Sequence, residues 1–307
     1  MTLTATLFQA SCGETLGKAT ESGGADLVFT SPPYCDARTY GNDVSWGLDD
    51  YARLGDAVFA ALKPGGHCLF NVDAPVRDWR PGMGTERGFH PWKIMLDWAE
   101  RIGFRVPDRL AFARLGSPGA YTGRFRNDWE PLLWFQKPGA EGFFDKNLIA
   151  DDSNSITKGF SASRTKDGDF YVRKASGWAV ENGKTQRGTL WNYGNIGGGK
   201  ATYPALHEMG HPASFPYDLA RDVVRCFAPV GGLVVDPFLG SGTTALAALV
   251  HGCHFIGGDL YGHEDGTPWV SKVEAMLQAS LDPGTLALFG EHQAPIIQAV
   301  IASRSPA

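Results

Sequence analysis

Apolar positions along the first half of this chain fall into two alternating patterns. "TATLFQA" and "ADLVFT" are short apolar runs that predict buried strands, with a short helix from Glu14 to Ala19 between them. "DDYARLGDAVFAALKPGG" has apolar residues at helical spacing and a Pro-Gly-Gly stop. "HCLFNVDA" reads as a strand and "PWKIMLDWAERIGF" as an amphipathic helix. "RVPDRLAFARLG" and "WEPLLWFQKPG" read as two further strands, forming an antiparallel pair. The alternation breaks near Gly139 and resumes near His211. There "FPYDLARDVVRCFAP" predicts a helix, with Ser214 as N-cap and Pro216 in its first turn. "GGLVVDPF", "GSGTTALAALVHG" and "HFIGGDLY" then make strand, Gly-rich turn with helix, and strand: a βαβ unit with a right-handed crossover. The tail from about Gln293 reads as peripheral.

The interruption between Gly139 and Thr202 is too long for a structureless loop in a compact domain, so it predicts an insertion or small recognition subdomain. Its charge sets it apart. Residues 153–205 carry eight basic and three acidic side chains, a local charge of +5 in a chain whose total is −5. A basic segment of an acidic protein can contact phosphates; a solvated loop is the plainer alternative. The aromatics from Phe160 to Tyr193 either touch a nucleic acid or pack a small core.

Composition narrows the class only a little. With 307 residues the chain suits one large domain or a core domain with an insertion. It has no apolar run of the roughly 20 residues that a membrane helix needs, and "MTLTATLFQA" has no signal character. A cytoplasmic protein is expected. The five cysteines are scattered without a C-x-x-C pair, which argues for structural thiols and against a metal site or disulfide framework.

Two stretches carry the chemistry. In "DLVFTSPPYCDARTYG" a buried strand runs into two prolines, which neither a helix nor a central strand tolerates. Ser31-Pro32-Pro33-Tyr34 is therefore a stiff loop at the carboxyl end of a strand, where open α/β sheets bind ligands. In "VVDPFLGSGTT" a strand, a Gly-rich turn and a helix make a nucleotide-binding shape, but neither G-x-G-x-x-G nor a Gly-Lys-Thr phosphate grip is present. The glycines permit close backbone approach, and the helix N-terminus favours a carboxylate. Asp236 can fix the turn and accept from an ammonium group. Asp259, at the end of the next strand, stands where an acid accepts from ribose hydroxyls; a helix cap or surface acid is the alternative. An amino-acid end plus a ribose without phosphate describes S-adenosyl-L-methionine.

"TSPPY" followed by "YG", with "DPFLGSGTT" preceded by "HPASFP", resembles the amino-methylating DNA methyltransferases, in the motif order of their β group. The resemblance runs from about Thr6 to Tyr261. It implies a catalytic loop at Ser31, Pro32, Pro33 and Tyr34. It implies a cofactor loop at Phe238, Gly240, Ser241, Gly242 and Thr243, with Thr30 and Asp236 beside it. His211 and Pro212 match the segment flanking the methionine end, and Asp259 the ribose acid. Two departures stand out: "QASC" replaces a "QGD" context, putting Ser11 and Cys12 where an Asp is common, and Ser31 replaces the Asp many members have before Pro-Pro-Tyr.

The fold so implied is a doubly wound α/β domain with a mostly parallel seven-stranded sheet. Its catalytic half spans residues 1–138, a DNA target-recognition insertion 139–205, a cofactor half 206–290 and a peripheral tail 291–307. Ser31 and the Pro32 carbonyl would accept the hydrogens of a flipped base amine, and Tyr34 would stack on the base. Double-stranded DNA would be gripped by Arg38, Arg164, Arg173, Lys174, Lys184 and Arg187; Arg38 could equally pair with Asp36. Serine before Pro-Pro-Tyr points to cytosine N4, with adenine N6 second. An RNA or protein amine methyltransferase and a silent DNA-binding module are further alternatives. No Pro-Cys dipeptide offers a nucleophile for carbon-5 methylation. A homodimer and an accompanying restriction nuclease are both compatible with the resemblance.

Overall fold

The structure is a computed structural model. It describes residues 2–34, 46–74, 76–78, 85–113, 125–152, 160–164, 167, 169–174, 184–193, 206, 209–211, 214–263, 265–281 and 298–304. Nine strands form one sheet: β1 (Thr2–Phe8), β2 (Ala25–Thr30), β3 (Leu62–Asn71), β4 (Arg109–Ala113), β5 (Trp129–Gln136), β6 (Leu190–Trp191), β7 (Leu233–Asp236), β8 (His254–Gly258) and β9 (Gln298–Arg304). Among the described residues the α-helices are α1 (Cys12–Glu21), α2 (Leu48–Ala61), α3 (His90–Asp97), α4 (Tyr217–Phe227), α5 (Thr243–Val250) and α6 (Trp269–Ser280).

The sheet order is β6-β4-β5-β3-β2-β7-β8-β1-β9. Only β5 runs against its neighbours; β4–β5 is the expected antiparallel pair, and the other neighbours flanking β2, β7, β8 and β1 run parallel. The period-two alternation of strands decides which helices cover which face. Leu27 and Phe29 of β2 pack in one apolar cluster with α4, α5 and α6. Val28 between them packs in a second cluster with α1, α2 and Trp98. The sheet is therefore buried on both faces, as a parallel sheet requires. Among the described residues no helix is long and apolar enough to cross a membrane.

The expected seven strands become nine. The two additional strands are the edges. β6 comes from the inserted stretch and pairs with β4 through only two residues. β9 comes from the tail and pairs in parallel with all seven residues of β1, so the tail is part of the sheet. Helix α4 also starts later than expected: Pro216 is its N-cap, and Ser214 caps nothing. Strand β3 starts at Leu62 rather than His67, taking in the Pro-Gly-Gly stretch with a register irregularity opposite Ala25 and Leu27.

The parallel strands β2 and β7 are neighbours and end on the same edge of the sheet. β2 delivers Thr30 and Ser31 there, β7 delivers Asp236, and β8 beside β7 delivers Asp259. The topology thus gathers the two motifs that the sequence keeps about 200 residues apart.

Candidate active site

On the catalytic side, the Ser31–Tyr34 loop is held by side chains from three other elements. The Tyr51 hydroxyl on α2 donates to the Pro33 carbonyl at 2.6 Å. Tyr51 is itself fixed, because the Trp98 ring nitrogen donates to its carbonyl at 3.0 Å. The Tyr34 hydroxyl lies 3.0 Å from both Asn71 Oδ1 at the end of β3 and Glu130 Oε2 at the start of β5. Asn71 Nδ2 donates to the Pro131 carbonyl at 3.1 Å and to Glu130 at 3.4 Å. Asn71 and Glu130 are 2% and 3% exposed, so this is a buried polar network behind the loop. Ser31 is half-buried, its Oγ 3.5 Å from Asn71 Oδ1.

Tyr34 is placed differently from its expected role. The residue is 7% exposed and packs in an apolar cluster with residues of α2, its hydroxyl turned inward. Only a small part of it is left accessible for stacking, because Asn71 and Glu130 draw the phenol into the fold.

On the cofactor side, backbone conformation does most of the shaping. Gly240 and Gly242 have φ of +48° and +77°, which L side chains rarely adopt. A Cβ on Gly240 would stand 3.1 Å from the His211 ring, and one on Gly242 would run into Val273. The Gly240 amide donates to Asp259 at 2.9 Å, and the Tyr261 amide to its other oxygen at 3.0 Å. Asp259 therefore grips the turn, and burial raises its pKa. His211 packs edge-on to Trp269 with centroids 4.7 Å apart, and its ring lies beside Gly240. The Ser241 hydroxyl is 3.0 Å from that of Thr243 and accepts from Ser214 at 2.9 Å. Phe238 meets Trp46 edge-on at 5.2 Å, and Trp46 meets Tyr51 at 5.4 Å, so an aromatic chain joins the two sides.

Asp236 joins them by hydrogen bonds. Its carboxylate accepts from Thr30 at 2.7 Å, from Thr244 at 2.7 Å and from the Phe238 amide at 3.1 Å. It is buried, and that burial pushes its pKa up to about 7 against the three bonds that favour the charged form. Asp236 thus fixes the turn and ties it to the residue before Ser31.

A family model described as "DNA methylase", the N6/N4 methyltransferase type, matches residues 25–264. The chain belongs to this family. The orphan methyltransferase M.BamHII of Bacillus amyloliquefaciens is 28% identical over 242 residues, covering 76% of this chain and 83% of that protein. Among solved structures, the PvuII DNA methyltransferase (cytosine-N4-specific) aligns with a TM-score of 0.62 at 19% identity, over 90% of this chain and 87% of that one. The M1.HpyAVI–SAM complex aligns at 0.56 and 16% identity, over 89% and 98%.

For this DNA methylase the structure separates the expected basic residues. Arg38 and Pro212 lie outside the described residues. Arg164 ends one strand of a two-stranded antiparallel ribbon, Phe160–Arg164 with Phe170–Lys174; Arg173 and Lys174 lie at the ribbon's other end. Lys184 is exposed, in a short pairing with Asp152. Arg187 departs from expectation. Its guanidinium donates to the buried Asp222 of α4 and to the Tyr193 hydroxyl, and lies over the Tyr193 ring. Arg221 donates to the other Asp222 oxygen, and Tyr193, desolvated beside Asp222, has its hydroxyl pKa raised. Arg187 fastens the inserted stretch to α4 because Asp222 has no water to turn to.

Sequence reading missed Asn71, Glu130, Tyr51 and Trp46, and took Ser214 for a helix cap rather than a partner of Ser241. One signal was available: Glu130 stands in "WEPLLWFQ", an otherwise apolar strand, and a carboxylate buried there needs partners.

Proposed function

We propose that this chain transfers a methyl group from S-adenosyl-L-methionine to the exocyclic amine of a base in double-stranded DNA, with cytosine N4 the preferred target. The Thr30–Asp236 hydrogen bond carries the reading, because it joins an amine acceptor and a cofactor turn into one unit. The residues suit the cofactor. Gly240 leaves room beside His211 that a Cβ would crowd, and Asp259 has lone pairs left for ribose hydroxyls. The turn sequence Asp236–Thr244 contains no lysine, as befits a ligand without phosphate.

When bound, S-adenosyl-L-methionine supplies a methyl group on a sulfonium. The chain's part is placement. Ser31 Oγ and the Pro32 carbonyl accept the two amine hydrogens, which favours a tetrahedral nitrogen with its lone pair free to attack. No covalent enzyme intermediate is needed. The amine lies inside the duplex, so the base must be flipped out. Tyr34, bonded from behind, fixes the loop, and stacking is limited to the small part of its ring left accessible. The inserted stretch, with its ribbon and local charge of +5, supplies most DNA contacts.

Adenine N6 is the second reading, because the matching family spans both amines and the loop chemistry is common to them. Mass spectrometry of nucleosides from DNA incubated with the protein tests both. N4-methylcytosine supports the preferred reading, and N6-methyladenine alone replaces it with the second. Cofactor binding without methylation of any DNA removes both in favour of a silent binding module.

A further inference from the structure

We propose that Asn71 is a positioning residue that makes the Ser31 hydroxyl an acceptor for the target amine. The proposal rests on the amine-methylation reading above. A serine hydroxyl carries one hydrogen and two lone pairs. To accept from an incoming amine, it must place its own hydrogen on some other acceptor. Asn71 Oδ1 lies 3.5 Å from Ser31 Oγ, a length that catalytic contacts often show before substrate tightens them.

The amide is oriented from behind. Its Nδ2 faces the Pro131 carbonyl at 3.1 Å, which can only accept. Glu130 Oε2 accepts from the same nitrogen at 3.4 Å. A flipped amide would set oxygen against both, so Oδ1 is kept toward the catalytic loop. The Tyr34 hydroxyl lies 3.0 Å from Asn71 Oδ1 and from Glu130 Oε2 but has one hydrogen to give. The Asn71 amide oxygen has two lone pairs, so it can accept from Tyr34 and still take the Ser31 hydrogen. The ends of β2, β3 and β5 thus combine to set the direction of one hydroxyl hydrogen. The carboxylate's contribution is indirect, through Asn71 and Tyr34.

The test is a double-mutant cycle on the full chain, read as the single-turnover rate of methyl transfer to DNA that the wild type methylates. Ser31→Ala and Asn71→Ala should each lower the rate on the order of 100-fold, since both leave the amine misplaced. The double variant should be no slower than about the slower single variant, because both remove the same acceptor. Cofactor affinity should stay within about threefold of wild type, which a general loosening of the fold would not allow. If Asn71→Ala does not fold, Asn71→Leu keeps the volume and replaces it in the cycle. Losses that multiply, to roughly 10,000-fold in the double variant, would overturn the proposal, as would an Asn71 variant that transfers at about the wild-type rate. In those cases the wild type still methylates DNA and the function stands. A wild type that transfers no methyl group to DNA removes both.

Discussion

The two sides of the candidate site are built by different means. The cofactor side is a turn between consecutive elements, β7 and α5, whose shape comes from two positive-φ glycines and from backbone amides capped by Asp259. The catalytic side is a proline-stiffened loop whose position comes from side chains on α2, β3 and β5, from Tyr51 to Glu130. One is local backbone geometry; the other is a long-range polar network. A local turn tolerates little change at a few positions. A network spreads its tolerance over many residues and ties reactivity to the packing of the whole sheet edge.

The test with the largest expected effect strikes the junction of the two. Asp236→Ala strips a buried acceptor from two hydroxyls and an amide, and should lower stability by about 4 kcal/mol, measured by urea unfolding at about pH 4, where the side chain contributes in full. Cofactor affinity and turnover should fall together, since both loops lose their common anchor. A loss confined to one of them would show that the sides are independent. Burial raises the Asp236 pKa to about 7 in the fold, so its stabilising contribution is full below the unfolded value near 3.8 and is lost as pH rises to about 7. Asp236→Asn cannot ionise. Its stability relative to wild type should therefore improve from pH 4 to pH 7, the opposite of what an ordinary salt-bridged aspartate would give.

Next in size is a change confined to the cofactor side. Gly242→Ala asks for an unfavourable positive φ and drives a Cβ into Val273, at a combined cost of about 3 kcal/mol. The expected readout is weakened cofactor binding with the Tyr34–Asn71–Glu130 network intact. Single-turnover methylation at saturating cofactor should then stay near the wild-type rate. A large drop there would mean that the turn's strain reaches the catalytic loop through Asp236.

The same contrast explains what was legible in the sequence. "DPFLGSGTT" announces its turn because glycine is needed at a positive φ and nothing distant is required to recognise it. "SPPY" announces a stiff loop for a similar local reason, since proline fixes φ whatever surrounds it. The parallel α/β core followed from apolar runs between helical stretches. What the chain kept hidden depends on residues far apart. Asn71 and Glu130 meet only because β3 and β5 are neighbours in the sheet. The inward turn of Tyr34 follows from that meeting. Arg187 looks like any other basic residue until Asp222 is placed under it. Ser214 reads as a helix cap by its spacing, whereas its hydroxyl reaches Ser241 in the turn. β6 is too short to show a period, and the partner of β9 is β1, nearly 300 residues away.

The smallest expected effect is at Asp259, where two roles have to be separated. Its carboxylate holds the Gly240 and Tyr261 amides, and the proposed function gives it the ribose hydroxyls as well. Asp259→Ala should weaken binding of S-adenosylhomocysteine by about 2 kcal/mol, the scale of charge-assisted hydrogen bonds lost at a partly buried site. Asp259→Asn keeps one oxygen for an amide but no longer offers a charge, so it should lie between alanine and wild type. The ribose contact is isolated by comparing S-adenosylhomocysteine with its 2′-deoxy analogue by calorimetry. If Asp259 accepts from the ribose, wild type should prefer the intact ribose and Asp259→Ala should prefer it less. An unchanged preference would leave the acid as a clamp on the turn alone. In either case the catalytic network makes no contact with this carboxylate in the hydrogen bonds described, so the rate at saturating cofactor should hold. A fall in that rate would mean that the cofactor turn and the catalytic loop respond as one body, with Asp236 passing the disturbance across.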